Sequence, residues 1–591
     1  MAADCRGQSA PDNLRGPPRR HAPPGDHDRC RDWVWTLKRL FLFFAFLLVP
    51  AAALAQGVAS SAEPRGAAAG LEILRQGGSA ADAAMAMMLA LTVVEPQSSG
   101  IGGGGFLVYH DAASGRIETI DGREMAPAAA KPTRFLDASG KPLPFIEAVP
   151  GGYSVGVPGN IRLMAMAHRK WGKLPWARLF APAIRLADKG FIVSPRLAQS
   201  AADVSRLWKD FPAIRALYSG PKGAPLRAGT RLRNPALART LRTIARSGPD
   251  AFYSGAIAAD ISNAVAHAAR NPTQLTGADL AAYRARERPA LCGTYRTYRI
   301  CGMGPPSSGA TTILEMLGLL ERFDLKAMGP RDPRSWHLLA EAMKLAYADR
   351  EKWLGDADFA NVPVAGLLDP AYLHQRSSLI SPDRPIGHYE AGTPPGAPPR
   401  TAAISGEVPA TTHFVAVDRA GNIASMTSTV EGPFGSQLIA GGFVLNNELT
   451  DFSFAPEANG APVANRVEPG KRPLSSMAPT IVYDASGKVV LALGSAGGKR
   501  IIMHVMKTLV GYLDFGLPVS DAIALPNIFF SGDSTLVEQG TFLAEMQSAL
   551  SRYDGLVTVS PLPSKVNAIE RTPAGWRGAA DPRGDGVAMS E

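Results

Sequence analysis

A mixed α/β architecture is what this sequence predicts, on three observations. Long stretches at 159–275 and 334–354 carry apolar residues at helical spacing, with little Val or Thr and with Pro/Gly breaks between them. Two pairs of β-type runs, 411–418 with 422–430 and 479–484 with 488–498, each flank a three-residue loop ending in Gly. Finally, 591 residues with 46% hydrophobic and 19% charged content suffice for a large buried core. The same balance excludes disordered, collagen-like and polytopic membrane chains.

Residues 1–32 are rich in Arg, Pro and Asp, and Lys38-Arg39 then precede an apolar run, Leu40 to Ala55, that ends Ala53-Leu54-Ala55. That is the secretory pattern, and it predicts export to the periplasm or beyond with cleavage after Ala55. Sixteen residues broken by Pro50 are short for a membrane span, an uncleaved anchor being the alternative. Without residues 1–55 the chain holds 54 basic and 47 acidic residues, a surplus of +7 spread over more than 500 positions. So thin a surplus predicts a solvated mixed surface and no nucleic-acid partner.

Glu63 to Thr92 is Ala/Leu/Met-rich and suits a buried helix. Gly100 to Gly105 formally matches GxGxxG, yet FLVYH and DAASGRIETID follow with hairpin alternation where a dinucleotide site needs a helix. No nucleotide cofactor is therefore expected. Cys5 and Cys30 fall in the leader; Cys292 and Cys301 flank the strand-like GTYRTYRI and are either bridged across it or two inert thiols. With no CxxC and no HExxH, no metal site is expected. Between Pro382 and Pro409, seven Pro and four Gly in 28 residues predict an exposed connector, directly before Ala410-Thr411.

The loop Arg419-Ala420-Gly421 sets a register that brings Thr411 opposite Thr429, with Cβ atoms about 5 Å apart. A two-residue loop would oppose Thr411 to Val430 instead. By the same logic Ala485-Ser486-Gly487 brings Ser475 toward Gly497 and Ser476 toward Ala496. Residues 501–513 have helical spacing, so Gly497-Gly498 sits at a strand-to-helix junction whose N–H groups can receive a developing oxyanion. Alone, a Thr pair, a Ser pair or a Gly pair is explained by β-propensity, capping or a turn. Their convergence behind a Pro/Gly connector is not.

PATTHFVAVD (409–418), NNELTDFS (446–453), KRPLSSMAPT (471–480) and GSAGGKRI (494–501) resemble the gamma-glutamyltranspeptidase family of N-terminal nucleophile hydrolases. The resemblance runs in order from about residue 60 through SGIGGGGF (99–106), DGREMAP (121–127), SVGVPG (154–159), PAIRLADKG (182–190) and PPSSG (305–309) to ADPRGDG (580–586). It implies a four-layer αββα sandwich built from two autoproteolytic chains. Cleavage between Ala410 and Thr411 would give a large chain, 56–410, and a small chain, 411–591, held together as a heterodimer. Thr411 would then be the nucleophile, its new α-amine (ordinary pKa about 8) serving as a base within the same residue.

By the same resemblance Thr429 contacts the nucleophile and Gly497 and Gly498 form the oxyanion hole. Arg123 with Ser475 and Ser476 would hold the substrate α-carboxylate, and Glu448 with Asp451 the α-ammonium. The implied substrates are a γ-glutamyl donor of the glutathione type and water, an amino acid or a peptide as acceptor, with neither cofactor nor metal. Three departures stand out. Glu431 replaces an Asn common in the family beside the bound glutamyl group, the segment between Asp451 and Ser475 is shorter than in members with a lid loop, and Ala310 ends PPSSGA in place of PPSSGG. The first two motivate an alternative, an amidase for other acyl groups such as glutaryl side chains of β-lactam-type molecules. A catalytically silent binding homologue is the other alternative, and the intact Thr411, Thr429, Gly497 and Gly498 argue against it.

Overall fold

The computed structural model describes residues 56–402 and 410–591. The leader reading of residues 1–55 and the last part of the connector, 403–409, lie outside them. Residues 382–402 hold no helix or strand, as their Pro and Gly content dictates.

The strands that build the core are β1 (Val58–Ser61), β2 (Gly104–His110), β3 (Ile117–Gly122), β4 (Arg286–Arg288), β5 (Ala290–Tyr295), β6 (Tyr298–Met303), β7 (Thr412–Val417), β8 (Ile423–Thr429), β9 (Thr480–Tyr483), β10 (Val489–Gly494), β11 (Asn567–Thr572), β12 (Gly575–Ala580) and β13 (Val587–Ser590). One antiparallel sheet has the order β13-β1-β7-β8-β2-β3-β4, the other β12-β11-β10-β9-β6-β5. Both sheets take strands from either side of residue 410. Their facing surfaces interdigitate through Val58, Val108, Val415, Ile423, Ile481 and Ile569, all 2% exposed or less. Each such side chain contributes about 1.5–3 kcal/mol on leaving water.

Helices α1 (Pro64–Arg75), α2 (Ala80–Val94) and α3 (Asn160–Trp171) cover the first sheet, and α4 (Gly309–Leu320), α5 (Pro333–Trp353) and α6 (Arg500–Leu513) the second. The layers are therefore α, β, β, α, as the family resemblance implies.

The single helix expected over Glu63–Thr92 is two. Gly77 has φ +84, which a side chain resists, and Ser79 with Asp82 forms a capping box that starts α2. The glycine run before β2 serves close approach rather than phosphate: a Cβ on Gly103 would fall 1.9 Å from the Thr429 carbonyl oxygen. Cys292 and Cys301 stand opposite each other on β5 and β6 and are joined by a disulfide.

The β7–β8 register is the one set by a three-residue loop, pairing Ser428 with Thr412 and Ile423 with Val417. The β9–β10 register is the expected one only beside its loop, where Tyr483 pairs Val489. An irregularity between Val482 and Tyr483 shifts the ladder by one residue, so Thr480 pairs Leu493, and Ser475 bridges to Ser307 rather than facing Gly497.

Candidate active site

Thr411 lies one residue before β7 and Thr429 ends β8, so the register sets their side chains together. The Thr411 and Thr429 Oγ1 atoms are 3.0 Å apart, and the Glu431 N–H donates to Thr429 Oγ1 at 2.8 Å. Thr411 is only 4% exposed and has φ +109. For a β-branched residue that is a strained backbone, costing about 1–3 kcal/mol. Its carbonyl oxygen accepts a hydrogen bond from Lys565 Nζ at 2.8 Å.

Beside the threonine pair lies a narrow cleft lined by Arg123, Glu431, Glu448, Asp451, Ser475, Ser476 and Gly498 among others. The structure thus brings together every expected site residue except Gly497, which precedes Gly498 in the same turn and does not line the cleft. Gly497 and Gly498 have φ +132 and +58 on the approach to α6, a path suited to residues without a Cβ.

Arg123 is fully buried. Its guanidinium donates to Glu448, to Asp451 Oδ2 at 2.5 Å, and to the carbonyls of Pro473 and Leu474 at 3.1 and 2.8 Å. The two groups expected to bind opposite ends of a zwitterion are thus bonded to each other. Burial works against the Arg123 charge, but Glu448, Asp451 and Glu124 overcome it and raise its pKa. Burial also raises the Glu448 pKa well above the carboxylate range; Arg123 opposes this, and the charges of Glu124 and Glu431 reinforce it. Glu124 is pushed up to about 7 by burial against the pull of Arg123.

Ser475 and Ser476 are presented by the PPSSG segment. Ser308 donates its N–H and its hydroxyl to the Ser475 carbonyl, both at 2.7 Å, and the Ser307 hydroxyl donates to the Met477 carbonyl at 2.7 Å. Arg350, from α5, donates to Ser308 Oγ at 2.9 Å and to Ser476 Oγ at 2.7 Å. Two distant motifs, 305–309 and 475–477, are one structural unit here.

Sequence reasoning missed Glu124, Asn447 and Lys565. Glu124 and Asn447 sit inside quoted motifs, next to residues that were singled out; Asn447 donates through Nδ2 to the Glu431 carboxylate and accepts from the Gly432 N–H at 2.8 Å. Lys565 carries no motif signal. Among the described residues, His337, Glu341 and Asp554 lie close enough together to suit a metal, but Lys344 Nζ sits among them, 2.6 Å from Glu341 and 3.1 Å from Asp554.

The family model for gamma-glutamyltranspeptidase matches residues 66–591. The chain belongs to the gamma-glutamyltranspeptidase family. It is 36% identical over 548 residues, 90% of its length and 91% of the relative's, to a glutathione hydrolase proenzyme of Bacillus subtilis strain 168. It is 35% identical over 544 residues to an acylase ACY 1 proenzyme of Pseudomonas sp. strain SE83, covering 90% of this chain and 93% of that one. Among solved structures, a cephalosporin acylase from Bacillus halodurans superposes with a TM-score of 0.80 at 29% identity, covering 90% of this chain and 96% of that one. The fold is the αββα sandwich of the N-terminal nucleophile hydrolases, and the protein is an enzyme of this family. The acylase relative is nearly as similar as the hydrolase one, so the residues of the cleft bear on which acyl group is taken.

Proposed function

We propose that the chain is the precursor of a γ-glutamyl hydrolase and transferase that processes itself and acts on glutathione-like amides. In the precursor, Thr411 Oγ1 attacks the Ala410 carbonyl carbon, and the amide becomes an ester as the Thr411 nitrogen leaves and takes a proton. Water then cleaves the ester, freeing the Ala410 carboxylate and the Thr411 α-amine. The strained Thr411 backbone supports this step, since ground-state strain is released when the bond is cut. With strands of both sheets drawn from either side of the cut, the two chains would stay associated.

In turnover, Thr411 Oγ1 attacks the γ-carbonyl of the donor while its proton passes to the α-amine. The Gly498 N–H at the cleft, with that of Gly497 behind it in the same turn, receives the oxyanion, and the amine proton moves on to the leaving nitrogen as the C–N bond breaks. Water or an acceptor amine then removes the acyl group. Thr429 orients the nucleophile, Arg123 with Ser475 and Ser476 addresses the α-carboxylate, and Glu448 with Asp451 addresses the α-ammonium.

One observation carries the substrate reading: the charge balance of the cleft. Among its lining residues Arg123 is the one basic side chain, against the carboxyl groups of Glu431, Asp451 and Glu448, the last a group whose proton burial holds tightly. Such a lining favours an acyl group that bears an ammonium, which γ-glutamyl has and glutaryl lacks. The acylase reading rests on the likeness to ACY 1 and on Glu431. Comparing kcat/KM for γ-glutamyl and glutaryl p-nitroanilides separates them, and faster turnover of the glutaryl compound would reject the main reading. Export is also proposed, on the Leu40–Ala55 run; no helix among the described residues is long and apolar enough to cross a membrane.

A further inference from the structure

Lys565 precedes β11 and is 5% exposed, yet it carries its ammonium straight to the nucleophile residue. Its Nζ donates to three acceptors: the Thr411 carbonyl oxygen at 2.8 Å, Glu95 Oε1 at 2.8 Å and Ser98 Oγ at 3.2 Å. A buried lysine normally exposes its charge or loses it; this one is in contact with a single carboxylate, Glu95, which it shares with Arg196, 3.9 Å from the same oxygen. Glu95 between two cations leaves the group with a net positive charge at the Thr411 main chain. Burial and Arg196 pull the Lys565 pKa down to about 8 against Glu95 and Asp585, so the ammonium is intact at and below neutral pH.

We propose that the Lys565 ammonium is the group that keeps the liberated Thr411 α-amine unprotonated at neutral pH, and so fit to act as the base. The inference rests on the nucleophile reading given above. The carbonyl oxygen and the amine nitrogen of one residue are about 3 Å apart, so a cation on the oxygen sits roughly 5–6 Å from the amine. A like charge at that range disfavours a second ammonium and lowers its pKa by about one unit or more. An α-amine of ordinary pKa near 8 would be mostly protonated at pH 7 and unable to accept the Thr411 hydroxyl proton. The other charges facing this region are Glu63, paired with Arg65 behind Glu95, and, from the cleft, Arg123, Glu431, Glu448 and Asp451. His413, on the strand that follows Thr411, is held neutral by burial, its pKa lowered to about 3. Lys565 is a positioning residue: it touches the nucleophile residue and not the reacting atoms.

The test uses the full-length precursor with Lys565→Met, Lys565→Arg and Glu95→Gln. Mass spectrometry first establishes the Thr411 N-terminus of each small chain, and kcat/KM for γ-glutamyl-p-nitroanilide is then measured from pH 5 to 9.5. Lys565→Met is expected to move the acid limb up by about one unit, losing roughly tenfold at pH 6 and little at pH 9. Lys565→Arg should keep the wild-type limb, and Glu95→Gln should move it down. A uniform loss at every pH, an unmoved limb, or shifts of one sign in both Lys565→Met and Glu95→Gln would overturn the inference. If Lys565→Met does not process, the Glu95→Gln and Lys565→Arg limbs decide alone. An active wild type without a Thr411 N-terminus would instead remove the nucleophile reading, and this inference with it.

Discussion

Thr411 Oγ1 lies 3.0 Å from Thr429 Oγ1, one step beyond the last pair of the β7–β8 ladder. The contact fixes the Thr411 rotamer, and Thr429 is itself fixed by the Glu431 N–H. Thr429→Val keeps the shape and removes both hydrogen bonds. It is expected to slow processing and to lower kcat by about 10²-fold with KM little changed, whereas Thr429→Ser should retain most activity. Steady-state kinetics on the processed fraction decides this.

Arg123 is both a candidate substrate ligand and the counter-charge of a buried acidic cluster. Arg123→Ala removes a buried cation that bonds both Glu448 and Asp451, a loss of about 3–5 kcal/mol. The variant should therefore show a lower melting temperature as well as a raised KM for γ-glutamyl donors. Thermal unfolding alongside kinetics checks both, and an unchanged Tm would contradict the buried ion-pair account.

Glu431 lines the cleft, and its charge contributes to the raised pKa of Glu448. Glu431→Gln keeps a side chain of the same size for Asn447 and removes the charge. The ratio of γ-glutamyl to glutaryl turnover is expected to fall by about tenfold, equivalent to about 1.4 kcal/mol. Parallel kcat/KM measurements with the two anilides report it.

Glu124 has a folded-state pKa raised to about 7 by burial, from an ordinary value of 4.5. A raised carboxyl pKa means the folded state holds the proton more tightly than the unfolded chain. Its stabilising contribution is complete below the unfolded value and is lost as pH rises through about 7. Glu124→Gln cannot titrate, so its stability should change less than wild type between pH 4.5 and 7.5. Melting temperatures of the pair across that window give the difference, and parallel curves would contradict the assignment.

The sequence made the Thr411–Thr429 hairpin legible because a three-residue loop ending in Gly421 specifies a register, and register specifies which side chains meet. The second hairpin failed at the same reasoning: the irregularity at Val482 and Tyr483 cannot be read from residue types, and it shifts Thr480 onto Leu493. Ser475 and Ser476 still reach the cleft, because Ser307, Ser308 and Arg350 hold them there across more than a hundred residues of chain. The bonding of Arg123 to Glu448 and Asp451 was likewise beyond local pattern, since each residue was assigned a substrate charge and not one another. Lys565 shows the limit most plainly: a lone lysine in PSKVNAIE reads as surface, and only the tertiary fold brings it to Thr411.

The central claim is that cutting at Ala410 exposes a Thr that is nucleophile and base in one residue. Intact-mass and N-terminal analysis of purified wild type and Thr411→Ala tests it most directly. The account predicts two chains for wild type, the smaller beginning at Thr411, and one uncut, inactive chain for Thr411→Ala. Fully active wild-type enzyme that keeps the Ala410–Thr411 peptide bond would contradict it.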